Sequence, residues 1–304
     1  MGKIFCIGQS AYDITIPLSG PIVENQKYRV EEKIECGGGP AFNAACLCGI
    51  WGADVCLISR LGQDEYGKKL HQTAEECGIN VKYLIPDPDL ETPHSYIFSN
   101  KINGSRTLFN FPGNPGKVDY RFPEEDVSVI LSDGHEPEIT LGAVQKYPHA
   151  FSLVDAGTCR ESTLLVAEKV DYLVCSEDFA CQYTGKKIDL DDWEACREIF
   201  HEIEQINGKY AVITLGEKGL LYRTCGEMRR LPAYPAKAVD TTGAGDIFHG
   251  AFAYGLWKGM QLIDILKLSS MASSLSVRRA GSQTSIPKLP EVETELKKYK
   301  INTK

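Results

Sequence analysis

The chain has 304 residues, of which 43% are hydrophobic and 24% charged, a balance typical of a globular protein. No apolar stretch approaches the roughly 18 residues of a membrane-spanning helix, and the N-terminal residues lack the pattern of a signal peptide, so we expect a cytoplasmic protein with no membrane partner. The net charge of −8 argues against nonspecific binding to DNA or RNA, so no nucleic-acid partner is expected.

Short apolar runs alternate with longer amphipathic stretches along the chain. Strands are predicted at 3–8, 54–59, 127–132, 151–156, 171–175, 210–215 and 220–224, and helices at 40–51, 64–77, 160–168, 190–206, 244–258, 262–279 and 290–299. This alternation predicts an α/β fold with a mostly parallel central sheet and helices on both faces. Because no linker or repeat interrupts it, we expect a single domain over residues 1–304.

Two segments interrupt the alternation, at about 12–36 and 94–112. The second has alternating runs on either side of Asn103-Gly104, a favoured turn pair, and therefore predicts a hairpin. We expect both segments to form a small β-sheet lid over the carboxyl ends of the strands, where parallel sheets bind their ligands. Exposed edges of such a lid can pair between subunits, so a homodimer through the lid is one expected arrangement.

The eleven cysteines are scattered along the chain and form no Cys-x-x-Cys pair. A zinc site needs clustered ligands, and the closest spacing is that of Cys46 and Cys48. We interpret these cysteines as reduced thiols that pack as small hydrophobic side chains.

Residues 62–69, GQDEYGKK, have the glycine spacing of a phosphate-binding Walker A loop. Lys69 stands where such a loop needs the magnesium-binding Ser or Thr, and the acidic residues of the segment would repel phosphates. We therefore interpret the segment as an ordinary turn that leads into the helix from Glu65.

Residues 239–248 read VDTTGAGDIF and span the start of a predicted helix. The small residues Gly243, Ala244 and Gly245 allow the backbone to approach a ligand closely. They also place free N–H groups at a helix N-terminus, where the helix dipole favours an anion. The segment therefore predicts an anion hole.

Asp246 follows these residues directly and falls in the first turn of the predicted helix. A capping role would explain one acidic residue, but neither the small residues before it nor the second acid at Asp240. An acid beside an anion hole favours phosphoryl transfer, in which N–H groups hold the phosphate charge while the carboxylate accepts a hydroxyl proton.

Two long segments resemble the signatures of the ribokinase-like (PfkB) carbohydrate kinase family. DTTGAGDIFHGAF at 240–252 is similar to the C-terminal signature, and GGPAFNAACLCGIWGADVCLISRLG at 38–62 is similar to the N-terminal one. RLGQDEYG at 60–67 and TLGEKG at 214–219 are also typical of the family. The resemblance covers essentially the whole chain and implies a three-layer ribokinase-like fold with a small β-sheet lid.

The resemblance implies roles for individual residues. Asp246 matches the catalytic base, and the anion hole is matched by Gly243, Ala244 and Gly245. The residues that match the sugar side are Asp13, Gly38, Gly39 and Asn43. The residues expected on the nucleotide side are Ser176, Thr214, Gly216, Gly219, Thr241 and Ser270. A carboxylate and an amide suit a polyol, since both accept hydrogen bonds from hydroxyl groups.

The resemblance also implies ATP and Mg²⁺ and leaves K⁺ open. The expected monovalent-cation residues are Asp240, Thr242, Ser276, Arg279, Gly281 and Ser285. The family often carries an Asn-x-x-Glu motif for Mg²⁺ and phosphates, but Ser176-Glu177-Asp178-Phe179 stands in its place here. Glu177 is expected to act on Mg²⁺ through water, with Asp178 as the alternative, since Mg²⁺ keeps several waters.

Side chains that could select the substrate lie in the lid and after one predicted strand. Arg106 and Asn110 alternate with Leu108 and therefore share a face. If this face points into the site, Arg106 can meet an anionic group on the substrate; a solvent-facing arginine is the alternative. Asp133 and His135 follow a strand and can reach the substrate, although His135 can equally be a loop histidine.

We therefore expect an ATP- and Mg²⁺-dependent kinase that phosphorylates a primary hydroxyl of a small sugar or sugar-like polyol, with keto-sugars, modified ketoses and pentoses favoured. A nucleoside kinase of the same fold is the first alternative, because Tyr12, Phe98 and Phe109 would suit a base. A non-catalytic sugar- or nucleotide-binding sensor is the second. The intact Asp246 with its glycine loop argues against the sensor.

Overall fold

The computed structural model describes residues 1–102, 105–113, 116 and 118–299. The strands are β1 (Lys3–Ile7), β2 (Ala11–Leu18), β3 (Ile34–Gly38), β4 (Val55–Ile58), β5 (Arg60–Gly62), β6 (Ile85–Asp87), β7 (His94–Asn100), β8 (Arg106–Phe111), β9 (Val127–Ser132), β10 (Phe151–Ala156), β11 (Tyr172–Ser176), β12 (Tyr210–Thr214), β13 (Leu220–Thr224) and β14 (Glu227–Leu231). The helices are α1 (Pro40–Ile50), α2 (Glu65–Glu76), α3 (Pro137–Lys146), α4 (Glu161–Ala167), α5 (Glu177–Thr184), α6 (Trp193–Asn207), α7 (Ala244–Trp257), α8 (Leu262–Ser276) and α9 (Leu289–Lys298).

The central sheet has the strand order β14-β13-β12-β11-β10-β9-β1-β4. The strands from β12 to β4 pair in parallel, whereas β13 and β14 form an antiparallel edge. The parallel strands are nearly continuous apolar runs because both of their faces are covered. This arrangement confirms the predicted mostly parallel sheet.

Helices cover both faces of the central sheet and create a three-layer structure. On one face, α1, α7 and α8 bury side chains such as Phe42, Phe252 and Met271 against the sheet. On the other face, α5 and α6 bury Phe179 and Phe200, and α3 adds a smaller cluster at the β1 and β9 end. The fold therefore follows from strands that are apolar on both sides and helices that are apolar on one.

A separate four-stranded sheet has the order β3-β2-β7-β8 and contains strands from both segments that were predicted to form a lid; we call it the lid sheet. Its outer pairs are antiparallel, and β2 pairs with β7 in parallel. The predicted hairpin corresponds to β7 and β8, while its turn at Asn103-Gly104 lies outside the described residues. The carboxyl end of β3 leads directly into α1, so the lid is tied to the central sheet next to the site.

The structure differs from the sequence prediction in several short elements. The prediction omitted α3, α5, β14 and the two-stranded pair of β5 and β6. Helix α8 ends at Ser276 rather than at 279, because the Val277 carbonyl accepts hydrogen bonds from the backbone of Val239 (2.7 Å) and Asp240 (3.2 Å). The sequence could not indicate this contact, which joins segments almost forty residues apart.

The Walker-like segment at 62–69 is a helix start, as expected. Asp64 caps α2, and its carboxylate accepts hydrogen bonds from the Gly67 N–H (2.8 Å) and the Thr92 N–H (2.8 Å). An acid at the centre of the loop occupies N–H donors that a phosphate would need. Across the part of the chain that the structure describes, no helix combines the length and the apolar character that a membrane crossing requires.

Candidate active site

The residues predicted to form an anion hole lie at the N-terminus of α7. Gly243 precedes the helix with a φ of +75°, in the left-handed region that favours glycine. The Ala244 N–H donates to the Thr241 carbonyl at 3.3 Å, whereas the Gly245 N–H donates to no backbone carbonyl outside the helix among the described residues. A Cβ at Gly245 would likewise meet nothing within 4 Å from the described residues beyond its own turn. The first turn therefore offers donors and open space to an anion.

Asp246 lies in this first turn and contacts the predicted sugar side. The Asn43 side chain, which is 1% exposed on α1, donates a hydrogen bond from Nδ2 to Asp246 Oδ2 at 2.6 Å. Burial, and next the negative charge of Asp155, raise the pKa of Asp246 to about 7, although the Asn43 hydrogen bond opposes this shift. A carboxylate with a pKa near neutrality suits a general base.

A buried ion pair lies one turn further along α7, and the sequence analysis did not predict it. His249 Nδ1 lies 3.1 Å from Asp155 Oδ2 and 2.7 Å from the Gly245 carbonyl, while Nε2 lies 3.1 Å from the Val174 carbonyl. Because both ring nitrogens face acceptors, both carry protons. Burial lowers the pKa of His249, but Asp155 and the two carbonyls outweigh it and raise that pKa to about 9.

The predicted sugar-side residues converge where the lid meets α1. Asp13 lies on β2, opposite Ser95 on β7. A Cβ at Gly38 would lie 2.3 Å from Asp13 Oδ2, and one at Gly39 would lie 2.5 Å from the Gln9 carbonyl, so glycine is required at both positions. Burial raises the pKa of Asp13 to about 6.

Ser282 connects the sugar side to the anion hole and is a further residue that the sequence analysis missed. Its hydroxyl oxygen lies 3.0 Å from the Gly37 carbonyl and 3.4 Å from Asp13 Oδ2, and its one proton can be donated to either acceptor. A Cβ at Gly243 would lie only 2.8 Å from the Ser282 Cβ. The two predicted halves of the site therefore pack on one buried serine, which the spacing of the motifs could not indicate.

Two adjoining cavities lie on the other side of the α7 N-terminus, with volumes of about 160 Å³ and 630 Å³. Gly216, Ala233 and Ala244 line both of them. Among the residues predicted to bind the nucleotide, those that line these cavities are Thr214, Gly216, Gly219, Thr241 and Ser270. The cavities thus extend from the predicted anion hole along the residues predicted to bind the nucleotide.

Ser176, which is predicted to bind the nucleotide, caps α5 in the structure. Its hydroxyl caps α5 by accepting from the Phe179 N–H at 3.0 Å and donates to the Gly157 carbonyl at 2.8 Å. Phe179, which replaces the family's metal-side Glu, is fully buried in the core. Glu177 forms an ion pair with Lys218 at 2.7 Å, beside the turn that lines the nucleotide cavities. This segment therefore carries two carboxylates: Glu177, which is already paired beside the nucleotide cavities, and Asp178, which is exposed.

Arg106 reaches the loop before α7. Its guanidinium donates to the Thr241 hydroxyl at 3.2 Å, also contacts the Thr242 hydroxyl, and lies 3.7 Å from Asp240 Oδ1. Arg106 is thus neither free for a substrate anion nor simply solvent-facing, because Asp240 compensates its charge. It links the lid strand β8 to the anion-hole loop.

Asp133 was expected to reach the substrate, but the structure buries its side chain against the backbone. It is 2% exposed, and its carboxylate accepts from the backbone N–H groups of Gln9 (2.8 Å), Ala41 (3.1 Å) and His135 (2.9 Å). Burial opposes ionisation, but the charge of His135 and these hydrogen bonds lower the pKa of Asp133 overall. We interpret it as a positioning residue that holds the loop after β1 against the start of α1.

The predicted cation residues come together in part. The Asp240 carboxylate accepts from the Thr242 N–H and from the Gly281 N–H, each at 2.9 Å, which joins the two segments named in the prediction. The Ser276 carbonyl accepts a hydrogen bond from the Arg279 N–H at 3.0 Å. Ser276 and Ser285 are both buried at 1% exposure. In the described ranges no three His, Cys, Asp or Glu side chains cluster as metal ligands. A K⁺ site of carbonyl oxygens needs no such cluster, and K⁺ binding stays a prediction.

The sequence matches the family model described as pfkB family carbohydrate kinase over residues 1–289. Ribokinase of Lactococcus lactis is 26% identical over 99% of this chain and 99% of its own length. A nucleoside kinase of Methanocaldococcus jannaschii is 24% identical with the same coverage of both chains. The structure of Arabidopsis thaliana ribokinase complexed with ribose and ATP superimposes with a TM-score of 0.81 at 23% identity, covering 97% of this chain and 99% of that one.

Proposed function

This chain belongs to the pfkB family of carbohydrate kinases, and we propose that it transfers the γ-phosphoryl group of ATP to a primary hydroxyl of a small sugar or sugar-like polyol. The observation that carries the proposal is the position of Asp246. Its carboxylate stands between an open helix N-terminus on the nucleotide side and Asn43 on the sugar side. A base in that position can act on a hydroxyl that attacks a phosphate bound at the helix.

Asp246 accepts the proton of the attacking hydroxyl as the bond between oxygen and phosphorus forms. A pKa of about 7 keeps a large fraction of Asp246 ionised at neutral pH while still allowing it to bind a proton. Asn43 donates to one carboxylate oxygen and thereby fixes the orientation of the other.

The Gly243–Gly245 segment holds the negative charge that develops on the transferred group. Its N–H groups are fixed by the start of α7 before the substrate arrives, so no reorganisation is needed during the reaction. Mg²⁺, when bound with ATP, neutralises phosphate charge, and we propose that Glu177 contributes to holding it through water. Release of Glu177 from Lys218 is then required, or a water must bridge to its free oxygen.

Closure of the lid excludes water, because water at the site would hydrolyse ATP. Arg106 supports this role, since it joins β8 to the Thr241–Thr242 loop and Asp240. Asp13 enters from the lid side and binds sugar hydroxyls as an acceptor.

A nucleoside is the second candidate substrate. The similarity to the nucleoside kinase of Methanocaldococcus jannaschii favours it, since the identity and coverage are close to those of the ribokinases. The lid also carries aromatic pairs such as Phe98 with Phe109, whose ring centroids lie 5.5 Å apart. Aromatic rings on a lid can stack on a nucleobase.

A homodimer through the lid is a further proposal. Strand β8 is the edge of the lid sheet, and all six of its residues are exposed. Leu108, Phe109 and Phe111 are each about half exposed. An exposed apolar edge of this kind is a site for pairing with a second chain. Light scattering on the purified protein would return twice the monomer mass if the proposal is correct and the monomer mass if it is not.

The substrate proposal is tested with a panel of pentoses, ketoses, sugar derivatives and nucleosides, each offered with ATP and Mg²⁺. ADP release identifies the active compounds, and phosphorus NMR of the product identifies the phosphorylated oxygen. The proposal requires a phosphate ester at a primary hydroxyl of a sugar. A panel in which only nucleosides react would establish the second candidate instead, and ADP release without an ester would refute both.

A further inference from the structure

A polar cavity of about 280 Å³ adjoins the predicted sugar site, at the carboxyl ends of β1, β9 and β10. The polar residues that line it include Gln9, Ser10, Asn110, His135, Glu136 and Arg160. Among these residues, the sequence analysis named only Asn110 and His135 as able to reach the substrate, and the proposed reaction gives none of the others a role.

Contacts on two sides connect this cavity to the reacting centre. On one side, the Ser95 hydroxyl donates to Asn110 Oδ1 at 3.4 Å. Ser95 lies on β7 directly opposite Asp13 on β2. On the other side, the Asp133 carboxylate holds the Gln9 N–H together with the first turn of α1, the helix that carries Asn43. A sugar bound by Asp13 would therefore have its far end in this cavity.

Arg160 brings an uncompensated positive charge to the cavity. Its Nη1 lies 2.7 Å from His135 Nε2, and its Nη2 donates to the Asp133 carbonyl at 3.4 Å. No carboxylate lies within ion-pair distance of Arg160 in the described part of the chain. Arg60, the other arginine at the cavity, is neutralised by Glu136 through two hydrogen bonds of 2.7 and 2.8 Å.

His135 lies beside Arg160 and pairs with Asp133 when it is protonated. Its Nδ1 lies 3.1 Å from Asp133 Oδ1. Burial lowers the pKa of His135, but the charge and hydrogen bond of Asp133 outweigh burial and raise this pKa overall. The charge of Arg160 also lowers the pKa of His135, and the charge of Asp155 raises it. A protonated His135 would face the Arg160 guanidinium directly, and Asp133 is already engaged by three backbone N–H groups. An oxyanion bound between the ring and the guanidinium would relieve this repulsion.

We propose that this cavity is a subsite for an anionic group on the sugar, held by Arg160 and His135 with Asn110 as a neutral donor from the lid. The inference rests on the proposed sugar kinase function and names its substrate class as an anionic sugar. The shared chemistry is an oxyanion on the carbon distant from the phosphorylated hydroxyl: a carboxylate, a sulfonate or a phosphate. Arg160 thus takes the role that the sequence suggested for Arg106, whose charge Asp240 compensates.

The test compares one ketose with its counterparts that carry a terminal carboxylate, sulfonate or phosphate. The wild-type enzyme should have a higher kcat/KM for at least one anionic member than for the neutral ketose. Arg160→Gln should lower the ratio of the anionic to the neutral kcat/KM by about 10-fold to 100-fold, as expected for loss of charged hydrogen bonds. Arg160→Lys keeps the charge and should lose less of this ratio. Arg197→Gln, on the distant helix α6, should leave the ratio unchanged.

Calorimetric binding of the same sugars without ATP separates this inference from the kinase proposal. Binding of an anionic sugar that weakens in Arg160→Gln would support the subsite even if no phosphate is transferred. Turnover that favours the neutral ketose, or an equal loss for neutral and anionic sugars in Arg160→Gln, would overturn the subsite while leaving the kinase standing. If no anionic sugar of the panel binds and none is turned over, the subsite is overturned as well.

Discussion

The raised pKa of Asp246 predicts an acid limb in the activity of this enzyme. Only the ionised carboxylate accepts the hydroxyl proton, so activity falls as the pH drops through the pKa. With a pKa of about 7, the ionised fraction falls to about one tenth at pH 6 and about one hundredth at pH 5. An unperturbed aspartate would remain more than about 90% ionised at pH 5 and would produce no such limb.

The measurement is kcat/KM for the active sugar between pH 5 and 8.5, at a constant saturating concentration of ATP and Mg²⁺. Enzyme that has been held at each pH is returned to pH 8 and assayed again, so that unfolding is not mistaken for titration. We expect a slope of about one decade per pH unit below neutrality. A flat profile down to pH 5 would refute either the raised pKa or the role of Asp246 as the base.

A substitution of Asn43 should move the acid limb of the pH profile in a defined direction. The Asn43 Nδ2 hydrogen bond stabilises the ionised form of Asp246 and lowers its pKa. Asn43→Ala should therefore move the acid limb to higher pH by about one unit, since a hydrogen bond to a charged group contributes about 1.5 kcal/mol or more. A limb that moves to lower pH, or not at all, would contradict the proposed coupling.

Three further substitutions test separate parts of the structure. Gly245→Ala meets open space, so thermal denaturation should show unchanged or slightly higher stability, while kcat/KM for ATP falls about tenfold or more because the methyl group enters the anion hole. Glu136→Ala leaves the buried Arg60 unpaired and should lower the free energy of unfolding in urea by about 3 kcal/mol. Arg106→Gln should raise the KM for the sugar by up to about fivefold and lower Tm only slightly, because a partly exposed ion pair contributes no more than about 1 kcal/mol.

The sequence predicted those parts of the fold that depend on local pattern. Parallel strands appear as apolar runs, and amphipathic helices such as α6 show their buried face in the spacing of Ile199, Phe200 and Ile203. Short elements carry too few residues for a reliable period, which is why α5 and β14 escaped prediction. The end of α8 was set by a tertiary hydrogen bond to Val277, which no local pattern contains.

The residues of the candidate site likewise fall into those that a local pattern predicts and those that only tertiary contacts bring together. The glycine loop before α7 and Asp246 are contiguous in the chain, so their spacing alone suggested phosphoryl transfer. The Asp155–His249 pair, the packing of Ser282 between two motifs, and the Arg160–His135 contact each join residues from different elements. Their side chains are brought together only by the tertiary fold, so no local sequence pattern indicates these contacts.

The most direct test of the central claim is the rate of phosphate transfer by Asp246→Asn. The side chain keeps its size, so ATP binding by calorimetry and the thermal transition should match the wild type. We predict that kcat for the active sugar falls by at least about 10²-fold, the lower end of the contribution of a general base. A variant that binds ATP and phosphorylates the sugar at the wild-type rate would contradict the assignment of Asp246 as the base.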